Sequence, residues 1–158
     1  MSSTTFDVED IVSTSEDEAS ETIERFLTFN SDNITFGVST NIVIEIISSY
    51  MIRPLPMVPE YIKGIINLRG MVIPIIDLRM RMGKPACEYA SSACIIVLEV
   101  DETTIGVLVD SVVQVLDINV DKATPIPVHD NQELASSMIS LDDGTVVLFL
   151  NCEQMIQQ

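Results

Sequence analysis

From Ile23 onward the chain alternates short apolar runs with clusters of turn residues, the pattern of a β protein. "NSDN" (30–33), "DETT" (101–104) and "DDG" (142–144) predict hairpin turns, because Asn, Asp and Gly tolerate the left-handed backbone of tight loops. Helical periodicity is sparse. The C-terminal "NCEQMIQQ" predicts a short helix over about 151–157 with Asn151 as its N-cap. Residues 1–22 are rich in Ser, Thr, Asp and Glu and lack the apolar density to offset ordering entropy, so a disordered acidic tail is expected there.

Sliding the chain on itself by 69 residues exposes a repeat. "FLTFNSDNITFGVSTNIVIEII" (26–47) falls over "IIVLEVDETTIGVLVDSVVQVL" (95–116), with Gly37 on Gly106, Val43 on Val112 and Ile46 on Val115. With small shifts, "RPLPMV" (53–58) matches "TPIPVH" (124–129), and "NLRGMVIPIID" (67–77) matches "SLDDGTVVLFLN" (140–151) aligned on Gly70 and Gly144. Each half reads strand, turn, glycine-bearing strand, long strand, Pro-rich loop and final hairpin. Five short strands with two apolar faces are expected to curl, so the predicted fold is all-β: two pseudo-repeated, five-stranded SH3-like barrels packed together, with a short C-terminal helix. The expected subdomains are about 23–84 and about 92–150. Pro74 interrupts an apolar run, and is expected at a barrel edge or bulge where its missing N–H costs no ladder bond; its counterpart is Leu148.

Charge sharpens the picture. The 158 residues carry a net charge of −16. Residues 1–24 hold eight acids and no base; without them sixteen acids face eight bases. Such a chain repels nucleic acid. Six of the eight bases (Arg53, Lys63, Arg69, Arg79, Arg81, Lys84) lie between 53 and 84, opposed there only by Glu60 and Asp77. This band is either a solvated face or a docking surface for an acidic partner. Apolar content of 47% is enough for a substantial core, and no apolar run is long enough to span a bilayer. The N-terminus is neither a signal nor a transit peptide, so a cytoplasmic protein is expected.

Candidate chemistry is thin. Cys87, Cys94 and Cys152 fit neither a zinc site nor a disulfide framework and are expected as buried free thiols. His129, the sole histidine, sits in a Pro-rich loop and is expected at the surface. "GIINLRG" is no phosphate loop, because it leads into a strand. The acid pairs Asp101-Glu102 and Asp142-Asp143 fall at hairpin tips, where solvated carboxylates are the simple reading. No metal, cofactor or catalytic constellation is expected.

"YIKGIINLRGMVIPIIDLRMRMG" (61–83) resembles the central signature of the CheW family, the coupling proteins of bacterial chemotaxis: Ile-x-Gly, then Asn-Leu-Arg-Gly, then Pro-x-x-Asp-Leu-Arg, closing on Gly83. The likeness extends from about Phe26 to Ile156, with "FGVSTNIVIEII" and "IGVLVDSVVQVLDI" on the corresponding stretches of the two halves. The resemblance implies a non-catalytic adaptor of two five-stranded barrels. It would bridge the cytoplasmic tip of methyl-accepting chemoreceptors to the regulatory domain of the histidine kinase CheA, with other CheW-like subunits in rings as further partners. It implies no cofactor, no nucleic acid and no direct membrane insertion. Glu45, Gly64, Asn67, Leu68, Arg69 and Gly70 lie on motif positions tied to partner binding, and Val43, Ile46, Val112 and Val115 on strands associated with receptor or kinase contact. Ser137 stands where relatives often carry Gly. A CheW-like regulatory module of a larger kinase or receiver-fused protein is the alternative; the Met1 start and the chain's own tail favour the stand-alone adaptor. An enzyme binding a ligand between the halves is the third class.

A receptor tip is helical, so its binder needs an apolar groove with a polar rim. Val43, Ile46, Val112 and Val115 either supply that groove or are core. Arg69 either reads carboxylates of a partner or is paired within the protein. Both hold if Glu45 pairs with Arg69 across adjacent strands and orients it. Arg79 and Arg81 are expected in structural or solubility roles, and Asp77 is expected to anchor a loop or pair with a nearby arginine.

Overall fold

The computed structural model describes residues 22–126 and 134–156. The acidic tail up to residue 21 and His129 lie outside the described residues.

The strands are β1 (Ile23–Ser31), β2 (Ile34–Ser39), β3 (Val43–Ile47), β4 (Ile62–Leu68), β5 (Met71–Asp77), β6 (Cys94–Val100), β7 (Thr103–Val109), β8 (Ser111–Asn119), β9 (Thr124–Pro125), β10 (Ala135–Ser140) and β11 (Val146–Leu150). Two short helices follow the final hairpin of each half, α1 (Leu78–Arg81) and α2 (Cys152–Ile156). The fold is all-β as expected, in a five-stranded sheet of order β3-β6-β7-β5-β4 and a six-stranded sheet of order β9-β10-β11-β2-β1-β8. The sixth strand is the two-residue β9, formed where "TPIP" bridges β10.

The repeat is visible in the register. Ile75 pairs in parallel with Gly106, and Phe149 with Gly37, so the two alignments read from the sequence, Gly37 on Gly106 and Gly70 on Gly144, describe one pseudo-symmetry. Arg53 bridges Ile65 as Thr124 bridges Met138, matching "RPLP" to "TPIP". Asp77 caps α1 by accepting from the Met80 N–H, and Asn151 caps α2 by accepting from the Gln154 N–H. The three predicted turns are hairpins. Asp32-Asn33 and Asp101-Glu102 are two-residue loops with φ of 55° and 64°, and 51° and 67°, the left-handed pairs that match strand twist.

The expected subdomains, about 23–84 and about 92–150, are repeat units rather than sheets. β1 and β2 pair with β8 and β11 of the second half, and β6 and β7 pair with β3 and β5 of the first. The first hairpin of each half thus lies in the sheet completed by the other half. The exchange explains the burial. β6 and β7 are apolar on both faces, because one face packs into their own curled sheet (Ile95, Val97, Leu108) and the other into a shared core between sheets (Ile96, Leu98, Val107). β1 and β2 supply Leu27, Phe29, Phe36 and Val38 to that shared core. A smaller cluster of Phe26, Ile118 and Phe149 fills the six-stranded sheet. Each fully buried aliphatic or aromatic side chain of this kind stabilises the fold by about 1.5–3 kcal/mol.

Pro74 corrects one expectation. It lies in β5, an interior strand flanked by β4 and β7. No ladder bond is lost there, for a different reason. Its antiparallel partner Ile65 directs both backbone groups away, to Arg53 at 2.8 Å each. The nitrogen of Pro74 therefore faces β7, where the parallel ladder begins only at Ile75.

The basic band is largely neutralised within the protein. Arg79 and Lys84 pair with Asp32, Arg79 also with Asp110, and Lys63 approaches Asp77 at 3.9 Å. Arg81 donates to the carbonyls of Gln154 and Met155 at 3.0 Å and lies over the Tyr61 ring, 4.9 Å from its centroid, tying α2 to α1. Asp77, 1% exposed, anchors the loop before β6 through a 2.6 Å bond from the Tyr89 hydroxyl, and its charged neighbour is a lysine rather than an arginine. Cys94 and Cys152 are buried free thiols; Cys87 is free but exposed, because it lies in the exposed run 83–88 of the loop between α1 and β6.

Candidate protein-docking surface

The β4–β5 hairpin turns through Arg69 (φ 52°) and Gly70 (φ 85°), between the paired ends Leu68 and Met71. The Asn67 side chain accepts from the Gly70 N–H at 3.1 Å and stiffens the tip. A two-residue loop of this hand suits Gly at its second position and is unusual for Arg at its first. The unusual residue projects from the fold: the Arg69 side chain is 70% exposed.

Among the described residues Arg69 is held from one side. Its Nη1 and Nη2 donate to Oε1 and Oε2 of Glu45 at 2.7 and 3.1 Å, a two-point fork that fixes the guanidinium plane. Hydrogen bonding by Glu45, and then its charge, raises the Arg69 pKa further above the ordinary value. The expected pairing is present, but the expected strand adjacency is not. Glu45 is on β3 and Arg69 follows β4, the two opposite edges of the five-stranded sheet. The pair therefore marks where the sheet curls far enough for its edges to meet.

Around it lie exposed apolar side chains: Ile44 and Ile46 on β3, Met71 and Val72 opening β5. β3 alternates half-buried and exposed positions, so Ile44 and Ile46 share its solvent side, while Val43 packs partly against the shared core and Ile47 against the core of the curled sheet. The sequence singled out Ile46 and missed Ile44, which alternation sets on the same side, and Met71 and Val72, which follow the hairpin tip. Beside the tip, a groove of about 490 Å³ runs between β4 and the loop after β3, lined by Ile47, Tyr50, Arg53, Ile65, Leu68 and Val72 among others.

Other sequence-derived positions fall elsewhere. Gly64 is buried, and a Cβ there would stand 2.0 Å from the Arg53 carbonyl oxygen, at a φ of +147° that disfavours any side chain. Its glycine serves the bulge over which Arg53 crosses. The counterpart position across the repeat, by strand partner, is Ser137, which β9 crosses at Pro125 but whose φ is not positive. Val112 and Val115 lie on β8, the edge strand of the six-stranded sheet, with Val112 half-buried on the shared core and Val115 exposed. The structure thus brings Glu45, Ile46, Asn67, Leu68, Arg69 and Gly70 together, and sets Val112 and Val115 on the equivalent edge of the other sheet.

Among the described residues no group of three or more His, Cys, Asp or Glu converges as a metal site, and no helix is long and apolar enough to cross a membrane. The family model of the CheW-like domain matches residues 25–158. The chain belongs to the CheW-like domain family. Its similarity to the chemotaxis protein CheW of Klebsiella aerogenes is 34% identity over 110 residues, 69% of this chain and just under two thirds, 66%, of that protein. The probable chemotaxis protein CheW of Rhizobium etli is 30% identical over 127 residues, covering 78% of this chain and 82% of the relative. The crystal structure of the scaffolding protein TtCheW from Thermoanaerobacter tengcongensis superposes with a TM-score of 0.76 at 27% identity, over 82% of this chain and 90% of the other. This CheW-like chain thus shares its family and fold with proteins named for chemotaxis and scaffolding.

Proposed function

We propose that this chain is a non-catalytic chemotaxis adaptor that couples the cytoplasmic tip of chemoreceptors to the regulatory domain of a CheA-type histidine kinase. The observation that carries the reading is the Glu45–Arg69 fork, an oriented and largely exposed guanidinium at the meeting edges of a curled sheet, flanked by Ile44, Ile46, Met71 and Val72. A helical partner offers carboxylates and C-terminal carbonyls for the fork and an apolar stripe for the flanks. Val112 and Val115 supply the matching surface on the second sheet, so one molecule presents two related faces and bridges two partners, or CheW-like neighbours in a ring. The names and the fold of the relatives support the same role.

The test is a binding titration of the purified chain against a receptor-tip helical assembly and against the kinase regulatory domain. Arg69→Glu is expected to weaken binding by at least about tenfold with an unchanged melting temperature, because exposed pairs contribute little to folding. Adding Glu45→Arg restores the pair and is expected to return part of the affinity. Absence of binding to either partner overturns the adaptor reading; a double variant that regains nothing overturns the role given to the pair.

A further inference from the structure

β4 is an edge strand, and beyond its first residue, where the Ile62 N–H donates to the Pro59 carbonyl, its free side is bridged by Arg53. Arg53 exchanges both backbone hydrogen bonds with Ile65, 2.8 Å each way, and among the described residues no other strand pairs with this edge. Backbone groups alternate sides along a strand, so those of Asn67, two residues on, point the same way as those of Ile65, into the opening beside the groove. An unpaired strand edge next to an apolar groove is a template for an added strand. The groove is lined by one charged side chain, Arg53, and by no acid. Arg53 is also the exposed member of the basic band with no ion pair among the described residues.

The chain carries a segment of the complementary kind. Residues 1–21 hold seven acids and no base, and within them "FDVE" (6–9) alternates apolar and acidic positions, placing Phe6 and Val8 on one face of an extended strand. The groove nearest to where this segment joins the fold, about 350 Å³ beside Ile23, is rimmed by Asp117 and Asp142 and repels it. The groove equivalent to that of Arg53 in the other sheet has Thr124 in place of the arginine, and its cation, Lys122, is shared with the acid-rimmed groove. Residues 13–22 reach roughly 35 Å when extended, about the diameter of a domain of this size, so the Arg53 groove lies within range.

We infer that residues 6–9 of the acidic N-terminal segment add as a short strand to the β4 edge at Asn67, with Phe6 and Val8 in the groove and neighbouring carboxylates on Arg53. The tether makes docking intramolecular and raises the local concentration of the segment to the millimolar range. Docked there, it covers Asn67 and Leu68 beside Arg69. On the adaptor reading above it competes with partners for the hairpin tip, and that clause alone rests on the reading.

Amide hydrogen exchange of the full chain tests the docking without any partner. A segment docked nine-tenths of the time slows exchange of the Asn67 amide about tenfold. The expected result is that Phe6→Asp combined with Val8→Asp removes this protection while the Ile65 amide stays protected, and that Arg53→Glu weakens it. The tail substitutions lie outside the sheets and leave the fold intact, so they decide the matter if Arg53→Glu disturbs the strand. Equal Asn67 exchange in the parent and the tail variant overturns the inference. Protection that rises with protein concentration assigns the edge to a second copy and overturns it as well.

Discussion

Arg79 grips Asp110 at two points, Nε to Oδ1 at 3.2 Å and Nη2 to Oδ2 at 2.8 Å, while its third nitrogen reaches Oδ1 of Asp32 at 3.1 Å. Arg79 lies on α1, directly after β5 of the five-stranded sheet, Asp110 sits at the crossing from β7 to β8, and Asp32 at the β1–β2 tip of the six-stranded sheet. Hydrogen bonding by Asp110 is the largest influence on the guanidinium and raises its pKa above the ordinary value. One cation thus joins both sheets at the point where the chain passes between them.

Loss of this joint leaves two half-buried carboxylates facing each other, since the Asp32 N–H also donates to Asp110. Arg79→Leu is expected to lower stability by about 1–3 kcal/mol, read as a shift in the urea midpoint at constant slope. An unchanged midpoint would show the network to be ornamental.

The glycines of the repeat should differ in tolerance. At Gly106 an added Cβ meets Ile75 Cδ1 at 2.6 Å and Ile95 Cγ2 at 2.8 Å, in a filled core; at Gly37 the nearest atom is Val147 Cγ1 at 3.1 Å. Gly106→Ala is expected to cost about 1–3 kcal/mol and Gly37→Ala less. Gly64→Ser, which copies the residue of the equivalent bulge, is expected to cost more than either, because a backbone oxygen rather than a side-chain tip stands in the way. Thermal midpoints in the reverse order would contradict this account.

The thiols predict the alkaline limit. Burial, then Glu153, pushes Cys152 up to about 12 from an ordinary 9.0, and burial also raises Cys94. Burial, and then the bond to Asp77, raises Tyr89. These groups are held neutral in the fold and ionise more readily when unfolded. Their contribution is complete below pH 9 and is lost between about 9 and 12, each fully shifted group adding a slope of about 1.4 kcal/mol per pH unit. Stability measured by denaturant between pH 7 and 11 should therefore fall on the alkaline side; a flat profile refutes it. At pH 8 a thiol reagent should label Cys87 at once and the other two only after unfolding.

Tyr89→Phe removes the one hydroxyl that, among the described residues, bonds the buried Asp77 carboxylate, whose Oδ2 has no hydrogen-bond donor among them and has Lys63 at 3.9 Å. A loss of about 1–3 kcal/mol is expected, with Asp77→Asn in the same background recovering part of it. Denaturant midpoints of the single and double variants check both.

Local signals in the sequence were sound where chemistry is local. Asn and Asp at turn positions located the hairpins, Asn151 capped its helix, and the pairing of "RPLP" with "TPIP" anticipated two equivalent bridges. Long-range facts left no such mark. Which half completes which sheet depends on the packing of Leu27 and Phe36 against Ile96 and Leu98, and either arrangement satisfies the same apolar pattern. For that reason the apolar pattern reads Pro74 at an edge or bulge, and Glu45 on a strand adjacent to that of Arg69. The residues around Arg69 were legible as a motif, but the separation of Val115 from Ile46 follows from sheet membership, which leaves no local mark.

The strand exchange also imposes an order on synthesis. Residues 43–109 complete one sheet as a continuous stretch, whereas Thr35 must wait for Val147 before its ladder closes. On the ribosome the β1–β2 hairpin is made first and finished last, its apolar edge unpaired while more than a hundred codons are read. A nascent chain from which residue 110 has just emerged would hold a finished centre and an orphaned beginning, the state in which such a protein most needs a chaperone.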